Sequence, residues 1–226
     1  RDLHKEYRRQ RQMCIRDSGY GVYAIDVDSD GDIDVLSASE DDDKIAWYEN
    51  DGSESFTTHI ITTSANAAFS VFAIDLDNDG DIDVLSASRD DDKIAWYEND
   101  GSESFTAYSI TTDADGAFSV FAVDMDNDGD IDVLSASKND DKIAWYENDG
   151  SESFTTNVIT TSADGAFSVF VADIDNDGDM DVLSASVDDD TIAWYENNAG
   201  IPEFSNIMMP IVSVLAIVGF NYRRRS

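Results

Sequence analysis

The chain has 226 residues, with 49 acidic against 14 basic side chains and a formal net charge of −35. A field of that sign excludes nucleic acid as a partner, because phosphate recognition needs the opposite charge. The only cysteine, Cys14, excludes an internal disulfide, so outside the cell another staple is needed, and a bound cation can supply it.

Residues 1–18 (RDLHKEYRRQRQMCIRDS) carry net +3 and lack clear apolar periodicity. The run from Met13 to Ser18 can be encoded by codons that match a transposon end used in preparing sequencing libraries. The segment is expected to be a non-native or disordered arm, with a genuine basic arm as the alternative, and is set aside from the fold.

From about Tyr20 the chain repeats. The motif Asp-x-Asp-x-Asp-Gly-Asp-x-Asp starts at Asp26, Asp75, Asp124 and Asp173, with a spacing of 49 residues each time. A fixed period of about 20–50 residues marks a repeat architecture. One unit reads FSVFAID, the acidic loop, DIDVLSAS, a DDDK turn, KIAWYEN, NDGSES and FTTHIITT. The β-branched and aromatic runs are short and bounded by Asp, Asn, Gly and Ser, so they predict strands. Asp51-Gly52, Asp100-Gly101 and Asp149-Gly150 are hairpin-turn signals. Four strands per unit in a meander predict an all-β chain built as a β-propeller of four-stranded blades. The blades cover about 19–67, 68–116, 117–165 and 166–200, three full and one incomplete, and are expected to be part of a larger ring.

The acidic loops predict metal sites. Positions 1, 3, 5 and 9 offer side chains: Asp26, Asp28, Asp30 and Asp34; Asp75, Asp77, Asp79 and Asp83; Asp124, Asp126, Asp128 and Asp132; Asp173, Asp175, Asp177 and Asp181. Position 7 is expected to offer its carbonyl, from Asp32, Asp81, Asp130 and Asp179. Gly31, Gly80, Gly129 and Gly178 sit at position 6, where the chain must turn and a side chain is expected to clash. An all-oxygen set suits Ca²⁺, about one per repeat and up to four, better than Mg²⁺ and argues against zinc or copper. A solvated acidic turn is the bland alternative, and four copies in register weigh against it. An EF-hand fits poorly, since its closing Glu is replaced by Ser37, Ser86, Ser135 or Ser184. Residues 19–200 hold 45 acidic and 5 basic side chains, a charge that four calcium ions offset only in part and that suits a salty medium.

Trp47, Trp96, Trp145 and Trp194 keep the same period. They are expected to pack between blades, with sugar stacking as the alternative. Glu40, Arg89, Lys138 and Val187, with His59, Tyr108 and Asn157, vary between otherwise similar units and are ascribed to drift at solvated positions rather than to ligand contact.

The tail changes at Gly200. Pro202-Glu203-Phe204 precedes an apolar run from Ile207 to Phe220 and then Arg223-Arg224-Arg225. The run is short for a span of about 20 residues. Residues 201–226 are expected to form an apolar helix acting as a membrane-held sorting tail, with the arginines cytoplasmic; an unprocessed anchor is the alternative.

The units, ending in IDNDGDMDVLSAS…IAWYENNAG in the fourth copy, resemble FG-GAP/VCBS-type repeats over residues 20–200. That resemblance implies extracellular Ca²⁺-binding propeller blades like those in the head of integrin α chains, with loop positions 1, 3, 5 and 9 ligating by side chain and position 7 by carbonyl. The tail is similar to the PEF-type sorting signal of archaeal surface proteins, which implies an archaeosortase-like sorting peptidase as a partner. The expected function is a cell-surface calcium-binding propeller acting as an adhesion or ligand-binding module for an extracellular protein or glycan, with Ca²⁺ structural. A polysaccharide lyase, a lectin and a surface-layer spacer are the rivals. No set of acid, base and nucleophile stands out: His59 gives way to Tyr108 and Asn157, and Lys44, Lys93 and Lys142 to Thr191. No enzyme activity is therefore expected.

Overall fold

The structure, a computed structural model, describes residues 19–53 and 55–197. The arm 1–18 and the tail 201–226, with its expected apolar helix, lie outside the described residues. Among the described residues no helix is long and apolar enough to cross a membrane.

The described chain is all-β. Blade 1 holds β1 (Gly19–Ile25), β2 (Asp34–Ser39), β3 (Lys44–Asn50) and β4 (Phe56–Thr62). Blade 2 holds β5 (Ala68–Ile74), β6 (Asp83–Ser88), β7 (Lys93–Asn99) and β8 (Phe105–Thr111). Blade 3 holds β9 (Ala117–Val123), β10 (Asp132–Ser137), β11 (Lys142–Asn148) and β12 (Phe154–Thr160). Blade 4 holds β13 (Ala166–Ala172), β14 (Asp181–Ser186) and β15 (Thr191–Tyr195). Each blade is an antiparallel meander in sequence order, with four strands in the first three and three in the last. The first strands lie side by side, β1 against β5, β5 against β9 and β9 against β13. This is the arrangement of successive propeller blades.

In blades 2 and 3 the second and third strands are buried on both faces, because a blade covers each side. Leu36, Ala38, Ile45 and Trp47 of blade 1 pack with Ala68, Val71, Ala73, Val84 and Tyr97 of blade 2. The same layer recurs between blades 2 and 3, where Leu85, Ala87, Ile94 and Trp96 meet Ala117, Val120, Val133 and Tyr146. It recurs again between blades 3 and 4 through Leu134, Ala136, Ile143 and Trp145 against Val169, Val171, Val182 and Tyr195. Trp47, Trp96 and Trp145 are buried in these layers, so they pack between blades as expected and leave no ring face open to a sugar.

Polar hooks reinforce the layers. Asp43, in a left-handed conformation at the end of the DDDK turn, accepts the N–H of Ala67 on its carboxylate at 2.9 Å and that of Ala65 on its carbonyl at 3.0 Å. Asp92 and Asp141 hold Gly116 and Gly165 in the same way. Ser70 and Ser119 accept the N–H groups of Val120 and Val169 in the following blade, both at 3.3 Å.

A bulge in each first strand skips Tyr20, Phe69, Phe118 or Phe167 in the ladder to the second strand. An extra residue re-aims a side chain. Here the four rings follow one another from blade to blade, tilted by 37–47° with centroids 4.4–5.0 Å apart. A second row, Tyr23, Phe72, Phe121 and Phe170, runs parallel to it at 4.8–5.1 Å.

Candidate metal centres

Each acidic loop joins the end of a first strand to the start of the second. In blade 2 the loop folds on its own carboxylates. Asp75 accepts the N–H of Gly80 at 3.0 Å, Asp77 that of Asp79 at 3.2 Å, and Asp79 that of Asp81 at 2.9 Å. Position 4 adopts a left-handed conformation in every loop, at Ser29, Asn78, Asn127 and Asn176, which Asn tolerates better than most residues. Gly80 has φ +100°, open essentially to glycine alone. The expected clash at this position does not exist: a Cβ on Gly80 would meet nothing within 4 Å. The glycine is required by backbone conformation.

Three carboxylates converge in each loop. Asp26, Asp28 and Asp34 offer oxygens within 4.8 Å of one another, as do Asp75, Asp77 and Asp83; Asp124, Asp126 and Asp132; and Asp173, Asp175 and Asp181. These are positions 1, 3 and 9. Position 5 stands apart. Asp30, Asp79, Asp128 and Asp177 each accept the N–H of the residue two ahead. At position 7, the side chains of Asp32, Asp81 and Asp130 crowd the glycine of the next turn instead, so that a Cβ on Gly52, Gly101 or Gly150 would fall 2.3–2.5 Å from a carboxylate oxygen.

The ninth position is buried and doubly tied. One oxygen of Asp83 accepts the N–H of Leu76 at 3.0 Å and the other that of Asn99 at 2.8 Å. Asp34, Asp132 and Asp181 repeat the pair with Val27 and Asn50, Met125 and Asn148, and Ile174 and Asn197. One carboxylate at the start of the second strand therefore holds the front of the loop and the end of the third strand. Burial pushes the Asp83 and Asp132 carboxyls up to about 7, against the pull of these backbone donors. Burial also raises Asp77 and Asp126, and the neighbouring carboxylates add to the rise.

The donor set fits a hard divalent cation. The converging atoms are all carboxylate oxygens, as calcium prefers. Oδ1 of Asp75 and Oδ1 of Asp173 are buried without a hydrogen bond, and a buried orphaned acceptor is costly unless something coordinates it. Charges of one sign held this close raise one another's pKa, and a cation reverses that effect.

The asparagines that close the third strand, Asn50, Asn99, Asn148 and Asn197, went unassigned in the sequence reading. Their signal was present: each ends the repeated Trp-Tyr-Glu-Asn at a fixed distance from the ninth aspartate. Beyond the backbone bond, Asn50, Asn99 and Asn148 donate Nδ2 to the carbonyls of Ile33, Ile82 and Ile131, while Asn197 donates to Met125 of the preceding blade.

The varying positions acquire structural roles. His59 meets Glu49 at 2.7 Å, Asn157 donates to Glu147 at 3.0 Å, and Tyr108 bonds Glu98. The three side chains differ but serve the same acceptor, so these positions are not free drift. Arg89 bonds Glu40 of the preceding blade at 2.8 Å and lies over the Phe69 ring.

The family model of FG-GAP-like repeats matches residues 26–86, 75–135 and 124–184. No curated protein sequence matches the chain. Among solved structures it is similar to a protein from Bacteroides uniformis assigned as a 6-phosphogluconolactonase, with TM-score 0.57 and 10% identity over 82% of this chain and 55% of that one. It is also similar to an exo-β-1,3-galactanase from Phanerochaete chrysosporium, with TM-score 0.46 and 10% identity over 79% and 46%. A Lactobacillus plantarum protein gives TM-score 0.46 and 12% identity over 81% and 56%. The chain thus spans about half the length of these structures, and at such identity the likeness concerns the fold alone.

Proposed function

Because the chain belongs to the FG-GAP-like repeat family, we propose that it is a cell-surface calcium-binding β-propeller that acts as an adhesion or ligand-binding module. The observation that carries this reading is the convergence of three carboxylates in each of four successive loops. The triads, with Asp30, Asp79, Asp128 and Asp177 and the carbonyls of Asp32, Asp81, Asp130 and Asp179, make up the proposed ligand sets. Bound Ca²⁺ would neutralise the loop carboxylates and hold the end of the first strand against the second.

The role is non-catalytic. What supports this is repetition: the His59–Glu49 contact is matched by Asn157–Glu147 in blade 3, and the Lys93–Asp91 pair recurs as Lys44–Asp42 and Lys142–Asp140, so these are blade contacts rather than one asymmetric site. The partner is an extracellular protein or glycan. The sorting peptidase, the membrane attachment and the archaeal surface location rest on the sequence of residues 201–226.

Calorimetric titration of the metal-free chain with Ca²⁺ tests the metal, and a glycan array with a polysaccharide turnover assay tests the role. Saturable binding of up to four ions, with ligand capture and no turnover, is expected. Absence of calcium binding, or turnover of a polysaccharide, would overturn the reading.

A further inference from the structure

Each hydrophobic layer between blades receives one side chain from the acidic loop on either side of it. Position 2 of the preceding loop is fully committed: Val27, Leu76 and Met125 are at most 2% exposed and lie in the layers between blades 1 and 2, 2 and 3, and 3 and 4. Position 8 of the following loop, Ile82, Ile131 or Met180, packs against the same layer. Both positions lie next to converging carboxylates. Leu76 stands between Asp75 and Asp77 of one triad, and Ile131 directly precedes Asp132 of the next. Polar ties stiffen the linkage. The N–H of Leu76 is held by Asp83 of its own loop at 3.0 Å, and Asn78 donates Nδ2 to the carbonyl of Gly129 in the next loop at 3.4 Å. Between blades 3 and 4, Asn197 reaches back to the carbonyl of Met125 at 3.3 Å.

We propose, building on the calcium reading, that neighbouring metal sites are coupled through these layers and fill with positive cooperativity. Close-packed interiors transmit strain rather than absorb it. An ion that draws Asp75, Asp77 and Asp83 together fixes Leu76 in the layer. The seated Leu76 supports Ile131, which aims Asp132 at the next ion. Leu76 and Ile131 are thus positioning residues: neither side chain offers a ligand atom, and both set where ligands stand. Val27 with Ile82, and Met125 with Met180, serve the other two layers in the same way. Charge alone gives the opposite sign, since ions in adjacent loops repel.

Site-resolved calcium titration by nuclear magnetic resonance tests this. Gly31, Gly80 and Gly178 each donate N–H to the position 1 carboxylate of their own loop, at 2.9, 3.0 and 3.2 Å, so each amide reports its own site. The metal-free full chain is titrated with Ca²⁺ alone, with and without the paired substitutions Asp124→Asn and Asp126→Asn, which empty the third site. Two carboxylate charges and one Ca²⁺ are lost together, so the net charge of that loop equals that of the occupied site. The calcium midpoints at Gly80 and Gly178, on either side of the emptied loop, should rise at least about fivefold, and that at Gly31 by less. Adding Leu76→Ala should abolish the response at Gly80 and spare that at Gly178, whereas Leu76→Met, similar in volume, should keep both. Unchanged midpoints at Gly80 and Gly178, an equal rise at all three glycines, or a Gly80 response that survives Leu76→Ala would overturn the proposal. The first two outcomes need no Leu76 variant, so they decide even where that variant fails to fold. Glycine resonances that ignore Ca²⁺ altogether would remove the metal sites themselves, and the coupling with them.

Discussion

The buried carboxylate of Asp83 accepts the backbone N–H of Asn99 at 2.8 Å and so ties the close of an acidic loop to the end of the neighbouring strand β7. Replacing Asp83 by Ala leaves two backbone donors without an acceptor, at Leu76 and Asn99. The expected cost in metal-free protein is about 2–4 kcal/mol. Asp79→Ala frees only the exposed Asp81 donor and should cost under about 1 kcal/mol. Urea unfolding in a chelator measures both, and equal costs would reject a special role for the ninth position.

The same burial makes stability depend on pH. The Asp83 and Asp132 carboxyls titrate near 7 in the folded chain, against about 3.9 when unfolded. Between those values the folded state holds more protons than the unfolded state, so metal-free stability falls as pH rises from about 4 through 7. Calcium must displace those protons, so its affinity should rise over the same window. Melting in a chelator is expected to drop by several degrees between pH 4.5 and 8 and to flatten in Ca²⁺. A metal-free melt that rises with pH would contradict the assignment.

Removing the metal should lower the melt sharply. At a free Ca²⁺ concentration about a hundredfold above the dissociation constant, each occupied site adds about 2.7 kcal/mol. Differential scanning calorimetry with and without chelator checks this, and an unchanged transition would remove calcium from the fold's stability.

The donors facing the third-strand glutamates should be interchangeable. Asn157 already does in blade 3 what His59 does in blade 1. His59→Asn is therefore expected to shift stability by under about 0.5 kcal/mol, whereas His59→Leu, which leaves Glu49 half-buried and unpaired, should cost about 1 kcal/mol. Chemical denaturation of the two variants separates an exchangeable donor from a position that tolerates anything.

The isoleucine of the third strand should be costly to truncate only where a blade covers it within the chain. Ile143→Ala is expected to cost about 2–5 kcal/mol. Ile192→Ala, at the half-exposed counterpart, should cost under about 1 kcal/mol. Similar losses at both positions would mean that the blade 4 face is already covered by the chain itself.

Much of this was legible before any coordinates. The 49-residue period, the strand runs and the loop between first and second strands follow from local patterns, and the blades take those positions. The Asp-Gly signals do mark turns, but the connection is longer than a tight hairpin. Asp51 closes it to Ser55 and accepts the N–H groups of Ser53 and Ser55, a side-chain-built turn that the dipeptide alone does not reveal. The aspartates read alike in one dimension and divide in three. Positions 1, 3 and 9 converge, position 5 turns back on the loop backbone, and position 7 leans on a neighbouring turn. Their fates depend on what the third strand brings alongside, which no nine-residue window contains. The same holds for Asp43, whose service to the next blade lies 24 residues away.

The closeness of Asp81 to Gly101 ties two distant codons together. A side chain at Gly101 would strike the carboxylate of Asp81, and the turn's φ of +72° already disfavours one. Substitutions at the two positions should therefore not add: shortening Asp81 opens room that Gly101 alone lacks, but does nothing for the backbone angle. A lineage that altered the turn first would meet both penalties at once. The order in which mutations arrive, rather than their sum, would decide which repeats could diverge, and the four units still carry this aspartate and, where the turn is present, this glycine.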